Sequence, residues 1–182
     1  MKHMPPELCL HLQDEEWPFT YTDHERVIAR AIVVDGEGFF HFMRASRDDE
    51  FGDGTWIETS GGGVEIGEDL HTAIRRELKE ELGAEVEILC KLGEVHDYYN
   101  LIHRHNHNHY FLCRALSFGE PSMTPDEIEK YRLSPWKLSY EEAVTAYGSC
   151  GCTALGRVIA KRELPILHHA KKALDILQQG TE

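Results

Sequence analysis

The chain has 182 residues, 41% of them apolar and 28% charged, with 19 Lys and Arg against 32 Asp and Glu. This is the make-up of a globular domain with one sizeable core, and a formal net charge of −13 disfavours non-specific adhesion to nucleic acid or to an anionic membrane surface. No apolar run approaches the roughly 20 residues of a membrane span, and Met1 to Glu7 lead into no apolar run of the signal-peptide kind, so a cytoplasmic protein is expected.

Residues 1–24 read as an N-terminal extension in which Trp17, Phe19 and Tyr21 alternate and pack onto the body of the protein, a single domain over 25–182. Arg26 to Val34 is short, β-branched and apolar. The turn signal Asp35-Gly36-Glu37-Gly38 and the strand-like Phe39 to Arg44 follow, which together predict a hairpin. After an Asp- and Gly-rich loop, Trp56 to Thr59 reads as a short strand, and Ser60-Gly61-Gly62-Gly63 as an irregular turn. A helix is predicted from about Asp69 to Leu82, closed by Gly83 in the left-handed position that glycine adopts without cost. Strand-like stretches cover roughly 85–99 and 105–116. Ser139 and Glu142 have capping-box spacing ahead of a short helix over about 140–147. Leu167, Ala170, Leu174 and Leu177 recur at helical spacing and predict a C-terminal amphipathic helix. Strands interleaved with helices imply an α/β layered fold with a mixed sheet. Five scattered cysteines, Cys9, Cys90, Cys113, Cys150 and Cys152, read as free thiols.

The densest chemistry lies in Arg76-Glu77-Leu78-Lys79-Glu80-Glu81-Leu82-Gly83. At about 100° per residue, Glu77, Glu80 and Glu81 share one helix face, bordering the stripe formed by Leu70, Ile74, Leu78 and Leu82. Such carboxylates are partly desolvated and repel one another. A hard divalent cation relieves that cost and suits the cleavage of phosphoanhydrides, because it neutralises phosphate oxygens and lowers the pKa of an attacking water. A solvated face paired with Arg75, Arg76 and Lys79 is the plain alternative.

The spacing decides between these. Gly62, then Glu68 after five residues, Arg76-Glu77-Leu78 after seven more, Glu80-Glu81 and Gly83 closely resembles the signature of the Nudix hydrolases. Only Ala84 departs from it, where a larger aliphatic residue is usual. The resemblance implies a Nudix-type α/β/α sandwich with a mixed β-sheet. It also implies a hydrolase of phosphoanhydride bonds in a small-molecule diphosphate, such as a nucleotide sugar, a dinucleotide or a nucleoside triphosphate. Glu77, Glu80 and Glu81 correspond to the carboxylates that hold Mg²⁺ or Mn²⁺, with Glu80 and Glu81 foremost, and Gly62 to a backbone carbonyl turned toward the metal. Glu68 and Arg76 correspond to a pair that orients the motif. Members recruit a further acid or base outside it. Here Glu127 or Glu129 is the candidate, with Glu127 grouped with Glu80 and Glu81 as catalytic. Family members are frequently dimers, so a homodimer is among the expectations.

Other residues are less decisive. Arg44 and Arg47 are candidates for holding substrate phosphate, with surface ion pairs as the alternative. Trp56, Tyr98, Tyr99 and Trp136 are either base-stacking or core residues. His103, His105, His107 and His109 alternate, about 7 Å apart on one strand face, and read as solvent- or pocket-lining residues, phosphate contacts or metal ligands. A straight row on one strand does not converge as a tetrahedral zinc site requires. Three rival functions are a non-catalytic nucleotide sensor, which usually lacks the metal carboxylates kept here; a prenyl-diphosphate isomerase, which needs a Cys/Glu pair that has no evident place in this chain; and a cation- or histidine-based metal-handling protein, which rests on the His row alone and predicts tight zinc or nickel binding without hydrolysis.

Overall fold

The computed structural model describes residues 4–179; the outermost parts of the expected extension and domain, 1–3 and 180–182, lie outside the described residues. Its eight strands are β1 (Leu8–Leu12), β2 (His24–Val34), β3 (Phe40–Asp49), β4 (Gly52–Glu58), β5 (Ser60–Gly63), β6 (Ala84–Tyr99), β7 (Arg104–Phe118) and β8 (Ser134–Leu138). Helix α1 spans Leu70–Leu82, α2 Pro125–Glu129, α3 Tyr140–Cys150 and α4 Ala154–Gln179.

The sheet runs β1-β6-β7-β2-β3-β4, with β5 on β2 and β8 on β3. It is mixed: β1 with β6 and β2 with β7 are parallel, and the other pairs antiparallel. At its centre β2 buries every residue from Ile28 to Val34. A near-continuous apolar run is what a strand covered on both faces requires. On one face α1 places Ala73, Ile74, Leu78 and Leu82 against Ala29, Ala31 and Phe111. On the other, α3 and α4 bury Ala143, Tyr147, Ile159, Ile166 and Leu167 against Ile32, Phe42 and Leu112. This is the α/β/α sandwich. Among the described residues no helix is long and apolar enough to cross a membrane.

Three local expectations change. The hairpin exists, but β2 and β3 pair only at Val33–His41 and Val34–Phe40 before diverging. The segment 60–63 is a strand, not an irregular turn. Its glycines supply the backbone that pairs with Ile28 to Ala31 in the gap left by β3. Residues 8–12 of the expected extension form an edge strand of the sheet itself, registered from Leu8–Gly93 to Leu12–Asp97. Farther on, Trp17 packs edge-on against Phe51 at 5.4 Å between ring centroids, whereas Phe19 and Tyr21 are 64% and 52% exposed.

Candidate active site

Helix α1 is fixed at both ends. The Asp69 carboxylate accepts from the Thr72 amide and hydroxyl, both at 2.9 Å. At the other end Gly83, with φ of 64°, directs its amide to the Lys79 carbonyl. This rotation puts Glu77 and Glu81 on the buried face, only 7% and 5% exposed. Glu81 Oε2 accepts from the Gly61 amide at 2.9 Å and from the Ser60 hydroxyl. Burial nevertheless dominates and pushes its pKa up to about 8. Burial likewise raises Glu77, against the opposing pull of Arg76.

Arg76 is the hub of the motif. Its Nε and Nη2 fork onto Glu68 at 2.9 and 3.0 Å, Nη2 also reaches the Gly63 carbonyl at 3.1 Å, and Nη1 donates to Glu77 Oε1 at 2.7 Å. A planar guanidinium in this setting ties the β5 turn to the helix and fixes the Glu77 rotamer. Glu80 stands at the edge of this group, with its Oε2 3.4 Å from Arg76 Nη1. Gly62 lies against the Glu77 carboxylate so closely that a Cβ would meet Oε1 at 2.4 Å. Here the glycine is explained by its contact with a carboxylate.

A third acid, the candidate Glu127, arrives on α2, a helix the sequence analysis did not place. Thr124 and Glu127 form its capping box, and the helix brings Glu127 beside α1. One carboxylate oxygen from each of Glu77, Glu81 and Glu127 lies within 4.8 Å of the other two. The converging set is therefore Glu77, Glu81 and Glu127, with Glu80 beside it, in place of the helical trio alone. Glu129 is exposed and outside the cluster. Hard oxygen donors gathered at a half-buried point, two of them with ionisation opposed by burial, fit Mg²⁺ or Mn²⁺.

Glu81 and Glu127 line a cleft of about 330 Å³ opened where β3 leaves β2. Its lining gathers Arg26, Arg30, Arg47 and Arg104 together with Glu81 and Glu127, and Asp49, Glu50 and Glu58 also face it. Burial pushes Arg26 and Arg104 below the usual guanidinium value. The Nε atoms of Arg47 and Arg104 are buried without a hydrogen-bond partner, although Arg47 Nε lies 3.3 Å from Asp49. Arg47 lines the cleft from within β3, not from beyond the strand's end as the sequence suggested. Arg44 does not: it is exposed and lies over the Trp136 ring at 5.0 Å. Three residues of separation along a strand puts the two arginines on opposite faces. Of the candidate stacking aromatics, only Tyr99 lines this cleft, together with Phe51 and Tyr131, which sequence reasoning missed. Trp56 is core and donates to Thr153 Oγ1 at 2.9 Å. A larger depression of about 570 Å³ beside β8 and α3 shows no comparable gathering of acids and arginines.

Behind the cleft residues Arg30 and Tyr99 lies a buried ionic network with no forewarning in the sequence reading. Glu163, fully buried, accepts from the Thr59 amide and hydroxyl at 2.9 and 2.8 Å, from Tyr147 OH at 2.7 Å and from Arg162 at 3.1 Å. Arg162 also donates to Asp97 at 3.0 Å and to Tyr99 OH at 2.9 Å. Burial opposes ionisation of Glu163, but Arg162 and Arg30 outweigh it and hold its pKa below the ordinary value. Arg30 Nη1 lies 3.8 Å from Glu163 and Nε donates to Asn108 at 3.0 Å, so α4 anchors a cleft arginine.

The sequence model of the NUDIX domain matches residues 24–148. The chain belongs to the Nudix family. Membership makes it a hydrolase of diphosphate linkages. Its fold is similar to that of a Nudix hydrolase from Nitrosomonas europaea, at 14% identity and a TM-score of 0.60, with 82% of this chain and 88% of that one covered. It is also similar to a MutT Nudix hydrolase from Burkholderia pseudomallei, at 24% identity and a TM-score of 0.51, with 65% and 86% covered. A MutT protein from Methanosarcina mazei Go1 aligns at 18% identity and a TM-score of 0.53, covering 70% and 85%. The search of curated proteins returned no match.

Proposed function

We propose that this Nudix protein is a Mg²⁺- or Mn²⁺-dependent hydrolase that cleaves the phosphoanhydride of a nucleoside diphosphate joined to a second moiety. The observation that carries the reading is one cleft that gathers four arginines with Glu81 and Glu127, the latter two clustered with Glu77. In a chain of net charge −13, four arginines gathered beside a carboxylate cluster that could hold a cation favour a polyanion as ligand. Glu77, Glu81 and Glu127, with Glu80 at the edge, would hold the cation, which supplies charge neutralisation at the phosphate oxygens.

The chain's own contribution follows from its contacts. Arg47 and Arg104 line the cleft with guanidinium groups for the phosphates, and Arg30 is held rigid by Asn108. Preorganised donors of this kind favour the charge that develops during displacement. Arg76 and Glu68 hold Glu77 in place. A carboxylate, for which we assign Glu127, takes the proton of the attacking water. The water oxygen bonds to phosphorus as the bridging P–O bond breaks, and the departing phosphate takes the electron pair. Tyr99, Tyr131 and Phe51 give the rest of the substrate an aromatic surface.

The test is product analysis after incubation with ADP-ribose, other nucleotide sugars, dinucleoside polyphosphates, nucleoside triphosphates and prenyl diphosphates, each with Mg²⁺ or with EDTA. One class cleaved into two phosphorylated fragments, or into pyrophosphate and a monophosphate, only with Mg²⁺, is the expected result. Full turnover in EDTA would overturn the proposal, as would tight binding without cleavage throughout the panel.

A further inference from the structure

The histidines of β7 do not act as a row. His103 lies outside the strand in a left-handed turn, with φ of 56°, and its ring stacks on Tyr21 at 4.0 Å. His105, His107 and His109 alternate along β7, and what matters is the cross-strand register. His11, His96 and His107 face one another across β1, β6 and β7, and Cys9, Glu94 and His109 form the adjacent row. Side chains directly across neighbouring strands stand about 4.5–5.5 Å apart at Cβ, against about 7 Å along one strand. Convergence that is impossible along β7 is therefore available across three strands.

The rings realise it. His96 stacks on His107 at 4.0 Å between centroids and on His11 at 4.7 Å, and His107 lies 4.1 Å from His109. Glu94 Oε2 is 2.9 Å from His107 Nε2, with Lys91 on the other oxygen. One ligand atom from each of Glu94, His96 and His107 lies within 4.8 Å of the other two. His109 is 8% exposed, and its Nδ1 is buried without a hydrogen bond, though 3.4 Å from Glu94 Oε1. Stacked imidazoles at this separation repel as imidazolium ions but not as neutral rings, and the neutral ring is the metal-binding form.

We propose that Glu94, His96 and His107 form a second, transition-metal site, selective for Zn²⁺ and its borderline congeners over Mg²⁺ and separate from the carboxylate cluster. Two imidazoles and one carboxylate are a zinc-type donor set, whereas Mg²⁺ prefers oxygen alone. The cation displaces the proton shared between His107 and Glu94, and small side-chain rotations close the remaining gap. Bound there it bridges β6 to β7, beside the edge strand that carries His11.

The full chain carrying Glu77→Gln and Glu81→Gln, which silences the other site, is titrated with Zn²⁺ and with Co²⁺. One equivalent is expected, with tetrahedral Co²⁺ absorption free of thiolate charge transfer. His96→Ala or His107→Ala added to this background weakens binding by more than the roughly 10–100-fold that loss of an outer-shell partner costs. With the two glutamine substitutions alone, Co²⁺ broadens the imidazole NMR signals of His96, His107 and their ring neighbours His11, His105 and His109 before those of the distant His41 and His168, a readout that needs no histidine variant to fold. Absence of stoichiometric binding, binding unchanged by both histidine substitutions, or a thiolate signature overturns the proposal.

Discussion

Replacing Glu81 with Gln in the metal-free protein should change how stability depends on pH. In the folded state burial raises the Glu81 pKa from 4.5 to about 8. Below pH 4.5 the acid is protonated in folded and unfolded chains alike, and its neutral form is at home in the core. Between 4.5 and 8 the unfolded chain ionises first and the folded chain holds the extra proton, so stability falls as pH rises. The interval corresponds to at most about 5 kcal/mol. His96 and His109, held below the usual histidine value by burial, act with the opposite sign below about pH 6.5. The wild type alone is therefore ambiguous, and the difference between wild type and Glu81→Gln isolates the carboxylate. Urea unfolding in EDTA at intervals from pH 5 to 8.5 gives that difference. The variant gains on the wild type steadily to pH 8, and saturating Mg²⁺ shrinks the gain by stabilising the ionised wild type. Parallel curves for the two proteins would refute the reasoning, because they would show Glu81 ionised in the folded core at no cost.

Arg162→Met leaves Glu163 and Asp97 buried without their shared partner and should cost about 3–5 kcal/mol in chemical denaturation; a loss under about 1 kcal/mol would mean the network is not held as an ionic one. Gly62→Ala drives a Cβ to 2.4 Å from Glu77 Oε1. It should destabilise by about 1–3 kcal/mol and weaken Mn²⁺ binding measured by electron paramagnetic resonance, whereas native affinity would separate Gly62 from the metal site. Arg47→Ala removes a charge-assisted donor and should raise KM by about 10–100-fold with a smaller effect on kcat; steady-state kinetics showing the reverse would place Arg47 in the chemical step.

Local signals carried the sequence reading well. The caps at Asp69 and Gly83, the capping box of Ser139 and Glu142, and the apolar stripe of α1 each lie within one turn or one helix, where periodicity and hydrogen bonding are nearest-neighbour matters. The spacing from Gly62 to Gly83 likewise brought Glu68, Arg76, Glu77 and Glu81 together correctly. What failed was long-range. Ser60 to Gly63 is a strand only because β3 peels away and leaves Ile28 to Ala31 unpaired, which no local pattern shows. Glu127 was a candidate from the sequence, but α2, the five-residue helix that brings it to Glu77 and Glu81, was not read although its capping box was there. Two signals were available and unused. Glu163 falls in line with Leu155, Ile159, Ile166 and Ala170, and an acid inside an apolar helical stripe implies buried cationic partners. The three-residue spacing of Arg44 and Arg47 already implied that only one of them could face the cleft.

Turnover by Glu81→Gln, on the compound that the wild type cleaves with Mg²⁺, bears most directly on the carboxylate cluster as the seat of catalysis. A fall in kcat/KM of about 10²–10⁴-fold or more, with the variant folded and still binding the compound, is expected. Turnover within about threefold of wild type, on the same scale of transition-state loss, would contradict it.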